Sequence, residues 1–471
     1  MCYGGGPPRA TLRGRYGRDI GLRILDHRLV VCPEPHASIT RSLVARRVPA
    51  VKKGLAALFV VLTIAVLISP GVIGHLAEQG VNDSLEWIDS KNPAFVISTT
   101  DFERGWFTSV GQHRIRLIAS DLPVLLVDTR IDHGLVPVSS LSREKGSLMP
   151  GLGSAISKLS LEHNDGSIEA LPITMYTSVG LTGALRSQLV VLADGVNAAN
   201  SRIDWGASEF VLTSSPVQQS FGVTGAFSSL AIKSDIDTAI VGKIDVDLAL
   251  AATPYGYMVG AIHVALDSIA IVEAEETMLV GPISFDSDSS LHGDRVSGDL
   301  ALNVENAPMT MGGSGGVQMV ARLEDADAAQ LGATMRSMDA MQSVTDYKDE
   351  LAQLEYDVLK LLAGGMQLHF DQLDILSPYG QFSSRASATV ERSDQADYSW
   401  ATAATRLTGS ADLSLPKALV DMATQANPEL HGVIGMGYLR KRGEFYLMEA
   451  SFADSVLTIN GAPTPIPLPG L

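Results

Sequence analysis

Cysteine is almost absent: Cys2 and Cys32 are the only two in 471 residues. This excludes a disulfide-stapled scaffold and any cysteine cage for zinc. Positive charge is short as well. Thirty-five Lys and Arg stand against 52 Asp and Glu, a formal net charge of −17. Such a balance cannot neutralise a row of phosphates, so nucleic acid is excluded as a partner. The ten His show neither H-E-x-x-H nor H-x-H spacing, and no Gly-rich loop ends in Lys-Ser/Thr. No metal and no cofactor is therefore expected. What is abundant is glycine, 44 residues, which fits a folded, turn-rich chain. The length allows two or three domains, or one elongated one.

The charge divides at one point. Residues 1–53 hold eleven Lys and Arg against three Asp and Glu, whereas residues 54–471 hold 24 against 49. The division falls at Gly54–Gly74, GLAALFVVLTIAVLISPGVIG, and no charged residue occurs between Lys53 and Glu78. About twenty apolar residues at ~1.5 Å rise cross a hydrocarbon core of ~30 Å. Arg46, Arg47, Lys52 and Lys53 flank the N-terminal side, which predicts a cytoplasmic N-terminus and an exported remainder. A cleaved signal peptide is the rival reading. Its apolar region would be shorter, ~7–15 residues, and no clear A-x-A pattern follows Pro70-Gly71. Both cysteines then lie on the cytoplasmic side. Residues 1–53 show no sustained apolar periodicity, and Val51-Lys52-Lys53 has the look of a translation start, so residues 1–50 are expected to be disordered or not made.

Beyond a juxtamembrane helix at His75–Ser90, period-two alternation dominates. Ile244, Val246, Leu248 and Leu250 alternate with Asp245, Asp247 and Ala249; Ile262–Leu266 and Leu300–Val304 repeat the pattern. Asp165-Gly166, Asp194-Gly195 and Pro254-Tyr255-Gly256 read as turns between strands. Short strings recur at irregular spacing (LTGAL at 181, VTGAF at 223, VSGDL at 296, LTGS at 407), each predicting a bulge or bend at its glycine. From Ala326 to Leu362 the apolar steps switch to three and four. Leu331, Met335, Met338, Met341, Val344, Leu351, Leu354, Val358 and Leu361 form one stripe, which predicts a single helix of ~50 Å stopped by Gly364-Gly365. That stripe is the candidate groove-facing surface. A shorter helix is expected near Pro416–Thr424, then strands at His431–Leu439, Glu444–Phe452 and Val456–Asn460, and a Pro-rich tail at 463–471.

Candidates for chemistry are few. Gly312-Gly313-Ser314-Gly315-Gly316 satisfies G-x-S-x-G, with His369 and His431 downstream, but the residues after it read as a strand, where a nucleophile elbow requires a helix. Asp286, Asp288 and Asp294 lack the Gly and Glu of a calcium loop and are expected in a solvated loop. No catalytic residue is assigned, and the chain is not expected to be an enzyme.

The segment Asp101–Ser109, DFERGWFTS, resembles the E-R-G-[WL]-F-[ST]-S element that follows the anchor in the YdgA-like family of bacterial proteins of unknown function. Val456–Gly461, VLTING, resembles the family's closing strand, with Ser455 where Gly is frequent. The resemblance implies an inner-membrane anchor and a periplasmic β-rich body, with no established activity. Within the element, Arg104, Gly105, Trp106, Phe107 and Ser109 read as structural. Gly105 permits a bulge, Arg104 pairs with Asp101 or Glu103, and core packing is favoured over binding for Trp106.

The expected fold is thus mainly β (α+β): one transmembrane helix at 54–74, then an extended, curved antiparallel sheet body at 75–462 with one long amphipathic helix. The membrane is one partner, and lipid or other envelope proteins are the candidate others. Either an open apolar groove passes lipid, or a closed core serves as a scaffold. A serine hydrolase at Ser314 stands a distant third. If Val51 is the first residue, peptide mapping of the native protein will return nothing from residues 9–41; any such peptide excludes that start.

Overall fold

Alternating apolar and polar residues commit a segment to extended backbone, because only there do successive side chains leave on opposite faces. The computed structural model describes residues 95–117, 124–134, 151–163, 165–198, 201–234, 237–273, 276–308, 313–341, 348–393 and 398–465. All belong to one compact unit, Phe59–Leu471. The basic segment 1–53, the apolar span 54–74, the juxtamembrane helix and residues 466–471 of the tail lie outside the described residues.

Six strands come first: β1 (Phe95–Arg104), β2 (Thr108–Leu117), β3 (Val124–His133), β4 (Gly151–Glu162), β5 (Ile168–Gly180) and β6 (Leu185–Val191). Each pairs antiparallel with the next. Three long hairpins follow, built alike. The first continues β6 into β7 (Asp194–Ala198) and returns through β8 (Ser201–Trp205) to β9 (Ser208–Ser215). The second runs from β10 (Ser220–Phe227) into β11 (Leu230–Ser234), then back through β12 (Asp237–Val241) to β13 (Ile244–Ala252). The third comprises β14 (Met258–Leu266), β15 (Ile269–Glu273), β16 (Glu276–Val280) and β17 (Ile283–His292).

Every strand of these hairpins breaks at the same level, so one fault line crosses six adjacent strands. The pieces beyond it form a separate six-stranded sheet, β7-β8-β11-β12-β15-β16. Gly206, Gly242 and Gly281 stand at the returning breaks. The N–H of Gly206 donates to Ser229 O (3.0 Å) and that of Gly242 to Ser268 O (2.7 Å), which holds the ladder together across the gap.

The remaining strands are β18 (Arg295–Pro308), β19 (Ser314–Asp327), β20 (Met366–Ser377), β21 (Gly380–Val390), β22 (Leu407–Pro416), β23 (Arg440–Arg442), β24 (Phe445–Ala453), β25 (Val456–Ile459) and β26 (Ala462–Thr464). The helices are α1 (Ala328–Met341), α2 (Lys348–Ala363), α3 (Trp400–Arg406), α4 (Lys417–Ala426) and α5 (Leu430–Gly435). The main sheet has twenty strands, antiparallel throughout, and its ends do not pair: among the described residues β1 bonds only β2, and β26 only β25.

Several expectations are corrected. The single 50 Å helix is two helices, α1 and α2, tied together where the buried Asp357 carboxylate accepts from Ser337 Oγ (2.6 Å) and from Gln353 Nε2 (2.9 Å). Ser343-Val344-Thr345-Asp346, a run of poor helix formers, separates them in sequence. Gly364-Gly365 does end α2, with Gly365 at φ +74°. Asp194-Gly195 opens strand β7 and is not a turn, and His431 lies in α5, not in a strand. Asp286 and Asp288 sit within strand β17, not a loop, because Phe285-Asp286-Ser287-Asp288 alternates. Gly183 lies in the turn between β5 and β6; of the other three recurring glycines, only Gly298 adjoins a shift in register. The tail supplies an edge strand, where Pro463 removes no needed donor.

The fold has a small packed centre. Val296, Ala326, Ala328 and Leu361 are buried, with Tyr255, Tyr257, Val259, Leu291, Leu323, Leu331 and Met366 against them. The helices α1 and α2 thereby cover the ends of β14, β17, β18, β19 and β20. Elsewhere the sheet depends on cross-strand contact. The Phe210 ring lies over Gly225, where a Cβ would stand 2.7 Å from Phe210 Cδ1 and 2.4 Å from Glu209 O. Gly225→Val is expected to destabilise the protein by about 1–3 kcal/mol, read as a lower urea midpoint at unchanged slope. An unchanged midpoint would mean that the β9 backbone at Glu209–Phe210 gives way at no cost.

Candidate functional site

Residues directly opposite on paired strands share one face of the sheet. Followed from strand to strand, the register links Phe102, Gly111, Thr129, Ser157, Met175, Leu189, Phe210, Gly225 and Val246 in one line. The line continues through Val264, Phe285, Leu302, Met319, Leu373, Ser384, Leu413 and Met448. It crosses seventeen strands, about 75 Å at ~4.8 Å per strand. The larger members are all apolar, and every one of those apolar members is half-buried, neither sealed as a core residue nor open. The opposite face is polar. It exposes Asp247, His263, Asp286, Asp288, Asp299, Gln318, Arg322 and Asp371, with Arg322 held by Asp371 (2.7 Å), Glu324 (3.1 Å) and Asp299 (3.3 Å).

The apolar face changes character across β2–β6. There it carries Ser109, His113, Thr129, Ser157, Thr177 and Ser187, most of them buried. The hydroxyls satisfy one another: Thr129 Oγ1 lies 2.8 Å from Ser157 Oγ, and Thr177 Oγ1 lies 2.9 Å from Ser187 Oγ. Ser109, with no exposed surface, bonds His133 Nε2 at 3.0 Å. A serine beside a histidine is a nucleophile's arrangement, but this hydroxyl is closed to any substrate. Its consequence is structural. His133 also donates its backbone N–H to Phe107 O (2.9 Å), so one residue of β3 holds both the β1–β2 turn and the start of β2.

That grip presents the rest of the family-like element to solvent. Gly105 N–H donates to Thr108 O (2.8 Å) and closes the turn, while the register shift of this hairpin lies at Thr99/Asp101, away from Gly105. Trp106 is 58% exposed and Phe107 49%. Core packing of Trp106 is therefore corrected: it stands at the tip of a hairpin with more than half of its surface exposed. Only Ser109 of this element is sealed inside. Arg104 is exposed beside it.

The helical stripe is divided. Leu331 and Leu361 join the packed centre, Met341, Leu354 and Val358 are half-buried, and Met335, Met338 and Leu351 are exposed. Val344 lies outside the described residues. The stripe cannot face one groove as a unit because α1 and α2 fold back on each other. Ser314 opens strand β19, and the pairing of β19 with β20 places His369 opposite Arg322, about 25 Å along the strand at ~3.4 Å per residue. The two do not form a site. Among the described residues no group of three or more His, Cys, Asp or Glu is placed to hold a metal ion, and no helix is long and apolar enough to cross a membrane.

Burial on the face holds the His113 imidazole below its ordinary pKa of 6.5, because desolvation disfavours the charged form. The unfolded chain then binds the proton more readily than the folded one. Stability contributed by neutral His113 is complete above pH 6.5 and falls as the pH drops below it toward the folded pKa. Urea titrations at pH 7.5 and 5.5 are expected to show this loss in the native protein and a smaller one in His113→Gln.

Neither a curated protein nor a solved structure matches the chain. One family does, over residues 51–467, and it includes every strand of the sheet described above. The chain belongs to DUF945, a family of bacterial proteins of unknown function.

Proposed function

We propose that this protein is a YdgA-like, inner-membrane-anchored periplasmic component of the bacterial envelope that holds or passes lipid along the apolar face of its sheet, without catalysis. The observation that carries the reading is the stretch of the line from Met175 to Leu373: nine half-buried apolar side chains and one glycine, aligned over ten strands with no polar member, on a sheet whose ends pair with no further strand among the described residues. A closed core would bury such residues, whereas an acyl chain needs a continuous apolar surface with no polar interruptions. The uncharged run at Gly54–Gly74, with Lys52 and Lys53 before it, supports an anchor and export of the body.

The exposed Trp106-Phe107 tip favours a second reading, in which the hairpin is a contact for another envelope protein. The two readings part at the middle of the sheet. Photocrosslinking residues placed at Leu248 and Leu302, on the apolar face, are expected to capture radiolabelled phospholipid in cells making the full chain. The same residues at Asp247 and Gln318, on the polar face, are expected to capture none. Lipid at neither pair would leave the apolar face without a ligand, and labelled protein partners at Trp106 would then favour the second reading.

A further inference from the structure

Between α5 and β24 the chain makes a short excursion whose position one side chain fixes. Gly437, at φ +77°, ends α5, and its N–H donates to Ile434 O (3.0 Å). Asn460, just after β25, ties the turn to the sheet. Its Nδ2 donates to Gly437 O (2.9 Å) and Tyr438 O (3.0 Å), while its Oδ1 accepts the Glu449 N–H (2.9 Å). The turn leads into β23, which among the described residues bonds only β24. Arg440 stands opposite Leu447, Lys441 opposite Tyr446 and Arg442 opposite Phe445.

This strand is the one place in residues 54–471 where basic residues adjoin, in a part of the chain with 24 basic groups against 49 acidic. Arg440, Lys441 and Arg442 are all exposed. Arg322, Lys233 and Lys417 each hold a carboxylate. Among the described residues, none of the three cations of β23 has one within ion-pair distance. The nearby acids are engaged with another cation or stand in solvent. Asp421, by its hydrogen bond, and then Glu444, by its charge, hold the Lys417 amine above its ordinary pKa of 10.5. Glu429 and Glu449 are exposed.

Successive residues of a strand leave on opposite faces, so Arg440 and Arg442 share one side of β23 and Lys441 takes the other. From an edge strand, such long side chains reach past the backbone on both sides. Charges spread in this way suit a plane of many anions better than a single carboxylate. Two large apolar side chains accompany them. Phe445, across the hairpin from Arg442, is 45% exposed, and Met436, beside the turn that Asn460 holds, is 62% exposed. Exposed apolar side chains flanked by cations match a surface where anionic headgroups overlie acyl chains.

We propose that Met436, Phe445 and the strand Arg440–Arg442 form a docking surface for an anionic phospholipid bilayer, with the cations at the headgroups and the two apolar side chains below them. This contact is additional to the span at Gly54–Gly74. In the order of the sheet, β23 and β1 lie toward opposite ends. The patch acts whether or not the apolar face is filled.

The test mixes the full chain, held in phosphatidylcholine nanodiscs, with sucrose-loaded vesicles that are then sedimented. The native protein is expected to follow vesicles containing phosphatidylglycerol and to stay behind with vesicles of phosphatidylcholine alone, and added salt should release it. Each cation near an anionic surface contributes about fivefold in affinity, from ~1 kcal/mol. Arg440→Gln, Lys441→Gln and Arg442→Gln together should therefore weaken binding about a hundredfold. Met436→Ser with Phe445→Ser is expected to weaken it too, at unchanged salt dependence. Lys158→Gln, Arg186→Gln and Lys348→Gln together remove the same charge from other exposed positions and should leave binding as it was. Circular dichroism confirms that each variant folds. Equal sedimentation with the two kinds of vesicle overturns the proposal, as does a folded triple variant of β23 that binds like the native protein. A photocrosslinking residue at Met436 that captures an acidic protein in cells, and no lipid, also overturns it and gives the patch to a protein partner. None of these readouts involves Leu248 or Leu302, so failure here leaves the reading of the apolar face standing.

Discussion

Everything in this sheet depends on register. Side chains alternate with a period of two, so a slip of one residue in any pairing would turn that strand's apolar set to the other side. Seventeen strands keep the same side, although several of their pairings contain irregularities. One irregularity maintains the face instead of breaking it. In β20, Phe370 pairs with Ala321 and Gln372 with Val320, so Asp371 is the extra residue between them. Without that bulge Leu368 and Phe370 would stand opposite in sense to Leu373 and Ile375. With it, all four share the apolar side, and Asp371 reaches Arg322 on the polar one. The bulge is thus a correction of phase.

The two flanks of the face are finished differently. Toward β2–β4 small hydroxyls and imidazoles are buried in mutual hydrogen bonds, which fixes close strand contacts with little bulk. Toward β18–β20 the helix pair closes a compact apolar cluster, and it reaches the β13–β14 turn through the Arg336 bond to Tyr255 O (2.8 Å). Between them, the members of the line on β9 to β17 of the main sheet (Phe210, Val246, Val264 and Phe285) are half-buried. The same three hairpins that build this middle stretch carry the fault line and the second sheet, so the most regular part of the sequence is also the least covered.

Local patterns were legible and non-local ones were not. Alternation marked β13, β14 and β18, and Pro254-Tyr255-Gly256 marked their turn, since both signals lie within a few residues. The helix break was missed because an uninterrupted three-four spacing does not distinguish one helix from two that fold back together. Its cue was the composition of Ser343–Asp346. The repeat of the three hairpins had a cue too. Trp205-Gly206, Val241-Gly242 and Val280-Gly281 each place a glycine after an apolar strand residue, but the recurring T/S-G strings drew the reading elsewhere. The line from Phe102 to Met448 had none. It exists only once the pairings are known, because neighbours on it come from different strands. Trp106 illustrates the same gap: an aromatic residue after glycine is compatible with a core or a tip, and only the fold decides.

A half-buried apolar face has a thermodynamic consequence that a core does not. Each square ångström of apolar surface still in contact with water withholds roughly 25 cal/mol of transfer free energy from the folded state. Along twelve apolar side chains of one line, the surface left wet in the native protein is wet in the unfolded chain as well, so it adds nothing to folding stability. Any apolar occupant that covers the face recovers that free energy and thereby stabilises the fold. Proteins that seal such a face gain the stability at once and lose the vacancy. Here the helix pair, which has apolar residues to spare at Met335, Met338 and Leu351, leaves them in solvent and packs against the strand ends instead. Among the described residues the fold therefore leaves apolar surface half-covered at the middle of the sheet while having the means to cover more of it. That arrangement couples stability to any apolar occupancy of the face.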